Sequence, residues 1–128
     1  MKIIGNGVDI IENRRIKNSI KNKKFINRIF SNSEINDSKR INNKTNFFAK
    51  RFAAKEAFVK SIGTGFKYGI NFNDITVKNN KSGKPVLILN RKLKNLLKQR
   101  LNLKKFKINL SLADENKYSI AFVIINKI

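Results

Sequence analysis

Residues 46–65, NFFAKRFAAKEAFVKSIGTG, carry the most regular pattern in the chain. Ala49, Ala53, Ala54 and Ala57 stand among Phe47, Phe48, Phe52, Phe58 and Val59, a composition and spacing that suit a helix buried along one face. The pattern predicts a helix over Asn46 to Ile62, stopped by Gly63 at the usual place for a left-handed cap. Glu56 lies beside Ala49, Ala53 and Lys60 on the helical wheel, so small residues leave room for a ligand near its carboxylate.

Towards the amino terminus, Met1 to Asp9 reads as a short strand in which Gly5 and Gly7 let another backbone or a ligand come close. Gly5, Gly7 and Asp9 share one face by the strand period of two. From Ile10 to Phe30 the pattern turns helical, amphipathic and basic, with Arg14, Arg15, Lys17 and Lys21 among the isoleucines. Ser31 followed by Glu34 has the spacing of a capping box and predicts another helix start. An asparagine-rich loop then leads into the alanine-bearing helix.

Beyond Gly69 the sequence predicts strands over Asp74 to Lys78 and Pro85 to Leu89, joined by a hairpin turn at Ser82-Gly83. A basic amphipathic helix follows over Arg91 to Leu101. Two last strands, Lys107 to Leu112 and Tyr118 to Ile125, flank the polar turn Asp114-Glu115-Asn116. Length and the even spread of hydrophobic residues, 41% of the total, suit a single domain over residues 1–128.

Composition narrows the chemistry. Cysteine and histidine are both absent, which excludes disulfides, thiolate zinc sites, the serine triad and the commonest general base. No apolar run nears the length of a membrane span and no secretory signal pattern is present, so the expected location is cytoplasmic. The formal net charge of +21 favours an anionic partner: nucleic acid, membrane, phosphorylated ligand or acidic protein. Heavy joint use of lysine, asparagine and isoleucine also fits codon bias acting on the surface.

With only 8 acidic residues in the chain, the placement of each carries weight. Asp9, at the end of its strand, and Glu56 are carboxylates from two elements, a set that suits a magnesium ion completed by water and phosphate oxygens. Such an ion would bridge a diphosphate and stabilise charge on a leaving oxygen. Lys60, one turn past Glu56, would face the same diphosphate as a point charge. Gly63-Thr64-Gly65 would offer backbone amides to phosphate oxygens. Purely structural readings stand beside these: Asp9 and Glu12 have helix-capping spacing, Glu56 and Lys60 that of a surface ion pair, and Gly63 that of a helix stop.

The run Arg51-Phe52-Ala53-Ala54-Lys55-Glu56-Ala57-Phe58-Val59-Lys60-Ser61-Ile62-Gly63-Thr64-Gly65 resembles the signature helix and turn of the holo-acyl-carrier-protein synthases, a family of 4'-phosphopantetheinyl transferases. Gly5-Asn6-Gly7-Val8-Asp9-Ile10 with Glu12 resembles the family's opening strand. Phe72-Asn73-Asp74-Ile75 and Gly83-Lys84-Pro85 resemble its central segment, and Ser111-Leu112 with Asp114, Glu115 and Tyr118 its last hairpin. The resemblance implies a small α+β fold, an antiparallel sheet with packed helices, assembled as a homotrimer with active sites shared between neighbouring subunits. It implies Asp9 and Glu56 as Mg2+ ligands, Lys60 and the turn Gly63, Thr64 and Gly65 as contacts of coenzyme A, and Arg51 close to the site. Arg14 and Arg15 would dock an acidic acyl carrier protein, and the pathway served would be fatty acid biosynthesis. Ala113, where relatives often carry serine or threonine, and Ser119, in place of a common alanine, depart from the pattern and predict a difference in the packing of the last strands or in how they close the pocket. Residues 35–46 match poorly.

The reaction implied is attack by a carrier serine on the phosphorus bearing the pantetheine arm of coenzyme A, with adenosine 3',5'-bisphosphate leaving. Asp9, Glu56 and Lys60 are then the catalytic residues, and the serine proton passes to a carboxylate, Glu56 being the candidate, or to a metal-bound water. Two other classes compete: a small nucleic-acid-binding protein, suggested by the charge and ten phenylalanines, and a basic structural protein whose first helix lies on an anionic membrane. Neither needs Asp9 or Glu56. The transferase reading expects no specific nucleic acid and no membrane partner.

Overall fold

In chain order the computed structural model, which describes residues 1–128, has β1 (Lys2–Glu12), α1 (Asn13–Ser19), α2 (Lys23–Ile29), α3 (Asn32–Ser38) and α4 (Lys44–Ser61). A turn of 3-10 helix at Phe72–Asp74 leads into β2 (Ile75–Asn79) and β3 (Pro85–Leu89). Then come α5 (Arg91–Leu101), β4 (Phe106–Asp114) and β5 (Tyr118–Lys127). β5 lies between β1 and β4 in an antiparallel three-stranded sheet, and β2 with β3 forms a separate hairpin. This is the α+β architecture that the resemblance implies.

Side-chain caps start most helices. Asn22, Asn43 and Asn90 accept backbone N–H bonds at the starts of α2, α4 and α5. Ser31 and Glu34 form the reciprocal capping box predicted for α3. Asn102, left-handed at φ 52°, ends α5. At the β2–β3 turn Gly83 takes φ +86° and Asn80 Oδ1 accepts from the amides of Ser82 and Lys84.

Several predicted boundaries shift by one or two residues, and two readings change further. β1 continues three residues past Asp9, because Ile10, Ile11 and Glu12 pair with Ile120, Ser119 and Tyr118; sheet pairing overrides the helical pattern there. The stretch from Ile10 to Phe30 is therefore not one helix. After the strand it forms α1 and α2, parted by a turn at Ile20, Lys21 and Asn22 before the Asn22 cap.

The sheet packs one face on α4 with an unusually close approach. A Cβ on Gly7 would stand 2.0 Å from the Ala57 carbonyl oxygen, and one on Gly5 2.0 Å from that of Ser61. Ala49, Ala53 and Ala57, all 0% exposed, keep that side of α4 thin, and Ala121, Val123 and Ile125 of β5 complete the contact. The opposite sheet face is bare: Val8, Ile10, Ile120 and Phe122 are exposed, and Val8 pairs with Phe122 and Ile10 with Ile120. Elsewhere phenylalanines pack on one another, Phe30 on Phe48 at 4.5 Å and Phe66 on Phe72 at 3.8 Å between centroids.

Ser119 has a specific role in the last hairpin. Fully buried, it donates from Oγ to Asn13 Oδ1 at 2.6 Å, while Asn13 Nδ2 donates to the carbonyls of Glu115 and Asn116 at 2.8 and 3.1 Å. The start of α1 is thus latched to the β4–β5 turn.

Gly7→Ala is expected to cost about 3 kcal/mol, the scale of forcing packed elements apart. Gly83→Ala, with nothing within 4 Å of the added carbon, should cost only about 1 kcal/mol of backbone strain. Denaturant unfolding of the two variants tests the difference; equal losses would contradict the close packing.

Candidate active site

The strand period aims Asp9 in the same direction as Gly5 and Gly7, towards α4, opposite Ala121 in the register. Glu56 sits on α4 next to Ala57, whose carbonyl Gly7 abuts. The glycine contact therefore brings the two carboxylates together. Partial burial, and then the nearby Asp9 charge, raise the Glu56 pKa above the usual carboxylate value, with Lys60 and Arg15 opposing the rise.

Lys60 Nζ bonds Asp9 Oδ1 at 3.1 Å and the Val8 carbonyl at 3.0 Å. It forms no ion pair with Glu56, so the i,i+4 surface-pair reading does not hold. Nor does Asp9 cap a helix, since it lies within β1 and Glu12 precedes α1 without a side-chain bond. Glu56 accepts no hydrogen bond from any protein donor and pairs with no cation. A half-buried carboxylate of this kind beside a second carboxylate is suited to a cation from outside.

No three carboxylates converge anywhere in the chain. Two hard oxygen donors with the rest of the shell open nonetheless fit magnesium, which keeps several waters or phosphate oxygens and needs only one or two protein carboxylates. Asp9 and Glu56 would hold it.

The glycine turn differs from its predicted use. Gly63 and Gly65 have positive φ, and their amides bond the carbonyls of Lys60 and Val59 at 3.1 and 3.3 Å. Those two N–H groups close the end of α4. Of the three turn amides, only that of Thr64 makes no hydrogen bond within the protein.

Arg51 is placed apart from the carboxylates. At about 3.6 residues per turn, the interval from Arg51 to Lys60 puts them on opposite sides of α4. The guanidinium is buried, stacks 3.6 Å from the Phe47 ring centroid, and leaves Nε without a partner. It lines a concavity of about 370 Å³ with Asn46, Lys50, Gly83, Pro85 and Asp114. Asp114 is held there by Asn46 Nδ2 at 2.8 Å and Lys50 at 3.4 Å; sequence reading gave Asn46 and Lys50 no role. Asp9, Glu56 and Lys60 line none of the principal concavities.

Arg14 and Arg15 are exposed on α1, and the Arg15 charge is felt at Glu56. Arg15 thus lies near enough to the carboxylates for its charge to reach Glu56.

A family model described as the 4'-phosphopantetheinyl transferase superfamily matches residues 5–123. The chain belongs to this superfamily. Among its transferase relatives, the holo-acyl-carrier-protein synthase of Pelagibacter ubique is 55% identical over 127 residues, covering 99% of each chain. The crystal structure of that enzyme from Neisseria meningitidis superposes with a TM-score of 0.88 at 33% identity, covering 98% of this chain and 99% of the other. The Bacillus anthracis synthase in complex with CoA (3',5'-ADP) superposes with a TM-score of 0.80 at 35% identity, over 98% and 97% of the two chains.

Because its carboxyl pKa is raised on folding, native Glu56 binds its proton more tightly than the unfolded chain does. Its contribution therefore falls as pH rises from the ordinary carboxylate value through the raised one. Glu56→Gln is expected to raise the thermal midpoint at about pH 7 in metal-free buffer, and the gain should vanish at about pH 3.5, below the unfolded carboxylate range. A gain of equal size at both pH values would refute the charge argument.

Proposed function

We propose that the protein transfers the 4'-phosphopantetheine group from coenzyme A to a serine of an apo acyl carrier protein, releasing adenosine 3',5'-bisphosphate and supporting fatty acid biosynthesis. The observation that carries this reading is the juxtaposition of Asp9 with an unpartnered Glu56, built by the family's two glycines and signature helix. The reading takes residues 1–128 as one domain and its location as the cytoplasm. No helix is long and apolar enough to cross a membrane.

Magnesium bound by Asp9 and Glu56 would supply charge neutralisation on the diphosphate and the leaving oxygen. Lys60 orients Asp9 and offers its ammonium to the same phosphates. The free Thr64 amide adds one directed donor, with Gly63 and Gly65 shaping the turn that presents it. The proton of the attacking serine would pass to a carboxylate, Glu56 being the candidate, or to a metal-bound water. Arg14 and Arg15 hold the acidic carrier over this end of the sheet, where charge also speeds encounter. Positioning and charge supply the acceleration, as in phosphoryl transfer generally.

The reading extends to a homotrimer with shared active sites. Two features support it: the bare apolar face of Val8, Ile10, Ile120 and Phe122, and the separation of the Arg51 concavity from the carboxylates within one chain. In the assembly, Arg51 of one subunit would reach coenzyme A bound at Asp9 and Glu56 of the next. A nucleic-acid reading lacks comparable support, since Phe122 is the only exposed phenylalanine and most of the others stack on one another.

Incubation with apo acyl carrier protein, coenzyme A and magnesium should yield, by intact-mass spectrometry, a carrier heavier by one phosphopantetheine. Asp9→Ala and Glu56→Ala should each lower the rate at least about a hundredfold, the scale of losing a charge-stabilising group. Arg14→Glu with Arg15→Glu should raise KM for the carrier and leave that for coenzyme A within about twofold. No mass shift from folded protein with several carriers would refute the reading. Phe122→Glu should shift sedimentation from trimer to monomer and abolish transfer; an active monomer would remove the shared-site arrangement.

A further inference from the structure

Lys55 is the residue before Glu56, is 0% exposed, and touches none of the groups assigned to the reaction. Its ammonium donates to the Ile29 carbonyl at 2.8 Å and to Glu34 Oε1 at 2.6 Å, and lies 5.2 Å from the Phe30 ring centroid. Glu34 is equally buried. Its Oε1 also accepts from the Ser31 amide at 2.9 Å, and its Oε2 from the Val77 amide at 2.9 Å. One ion pair thus joins α4 to the end of α2, the start of α3 and β2.

A buried ion pair adds little stability over a well-packed apolar pair, because desolvation offsets attraction. Its directional bonds do something packing cannot: they resist rotation and sliding of one helix past another. Lys55 and Glu56 lie about 100° apart around α4, so one points at α2 and the other at Asp9. Rotating α4 to move one moves the other. α2 carries Lys23, Lys24 and Arg28, exposed cations without acid partners, as are Arg14, Arg15 and Lys17 of α1.

We infer that Lys55 is a positioning residue which, through the Ile29 carbonyl and Glu34, fixes the basic surface of α2 relative to the Glu56 carboxylate, and so sets how an acidic carrier is presented to the reacting phosphate. The inference rests on the proposed transferase reading for its consequence and on the hydrogen bonds alone for its mechanical part.

Both parts are tested on the full chain with Lys55→Met and with the double variant Glu34→Gln/Lys55→Met. The double variant removes both charges, so it leaves no lone buried carboxylate, and retains an acceptor for Val77. Hydrogen exchange should quicken at least about fivefold in α2, the scale of one lost hydrogen bond, while β1 and β5 keep their protection. In the transfer assay, KM for the carrier should rise by a similar factor, with KM for coenzyme A within about twofold and kcat at saturating carrier retained. Quickened exchange spread evenly over the chain, or equal rises in both KM values, would overturn the inference and leave Lys55 a general stabiliser. A wild-type protein that transfers nothing would refute the transferase reading instead, and the exchange pattern would still decide whether Lys55 fixes α2.

Discussion

The contact between a side-chain-free stretch of strand and the carbonyls of a helix governs this molecule. With Gly5 and Gly7 lying directly over the oxygens of Ser61 and Ala57, β1 approaches α4 more closely than any strand bearing Cβ atoms at those positions could. The next residue on that face is Asp9, and the next turn of the helix carries Lys60. Backbone contact therefore sets the spacing of the charged groups with little help from long side chains. It also explains why two carboxylates share a small volume despite their repulsion: the packing that holds β1 and α4 together is spread over Ala49, Ala53, Ala57, Ala121 and Val123, all fully buried.

Much of this was legible in the sequence, for identifiable reasons. Local signals, namely the alanine pattern of α4, the Ser31–Glu34 box, the turn at Gly83 and the periodicity of α5, are written within a few residues and were read with small boundary errors. Nonlocal effects were not. Ile10 and Ile11 resemble the start of an amphipathic helix until β5 lies beside them, and nothing near Asn22 marks a second helix start except its own capping side chain. Asp9 and Glu56 were identifiable because acids are scarce and each had small neighbours. The engaged amides of Gly63 and Gly65 were not, because a glycine that ends a helix and one that cradles a phosphate have the same sequence. Lys55 did leave a signal: on the helical wheel it falls among Phe52, Phe58 and Val59, where a lone cation needs a buried counter-ion. The counter-ion, Glu34, was already occupied by its capping role.

Charge is distributed unevenly in a way that a net value conceals. Five of the acids, Asp9, Glu34, Asp37, Asp74 and Asp114, pair with cations, and apart from the local Asp37–Arg40 contact each pair ties together separate parts of the fold or site. Asp74 illustrates the cost and its compensation: burial alone would lift its pKa, yet bonds from the Asn71 amide, Lys92 and Asn90 bring it below the usual value. The remaining lysines face water and repel one another. Of the three acids without a cation, Glu12 and Glu115 are exposed to water, whereas Glu56 is half-buried and its negative charge is the least satisfied.

The Asn13–Ser119 latch bears on how such a sequence can change by descent. Asn13 Oδ1 and Ser119 Oγ satisfy each other in a spot closed to water, more than a hundred positions apart along the chain. Replacing Ser119 alone would strand the asparagine oxygen, and replacing Asn13 alone would strand the hydroxyl and release the β4–β5 turn. A lineage would therefore exchange the two together or pass through a weakened intermediate. The pair is a small record of coupled inheritance, and a chain carrying alanine at the second site should carry something other than this asparagine at the first.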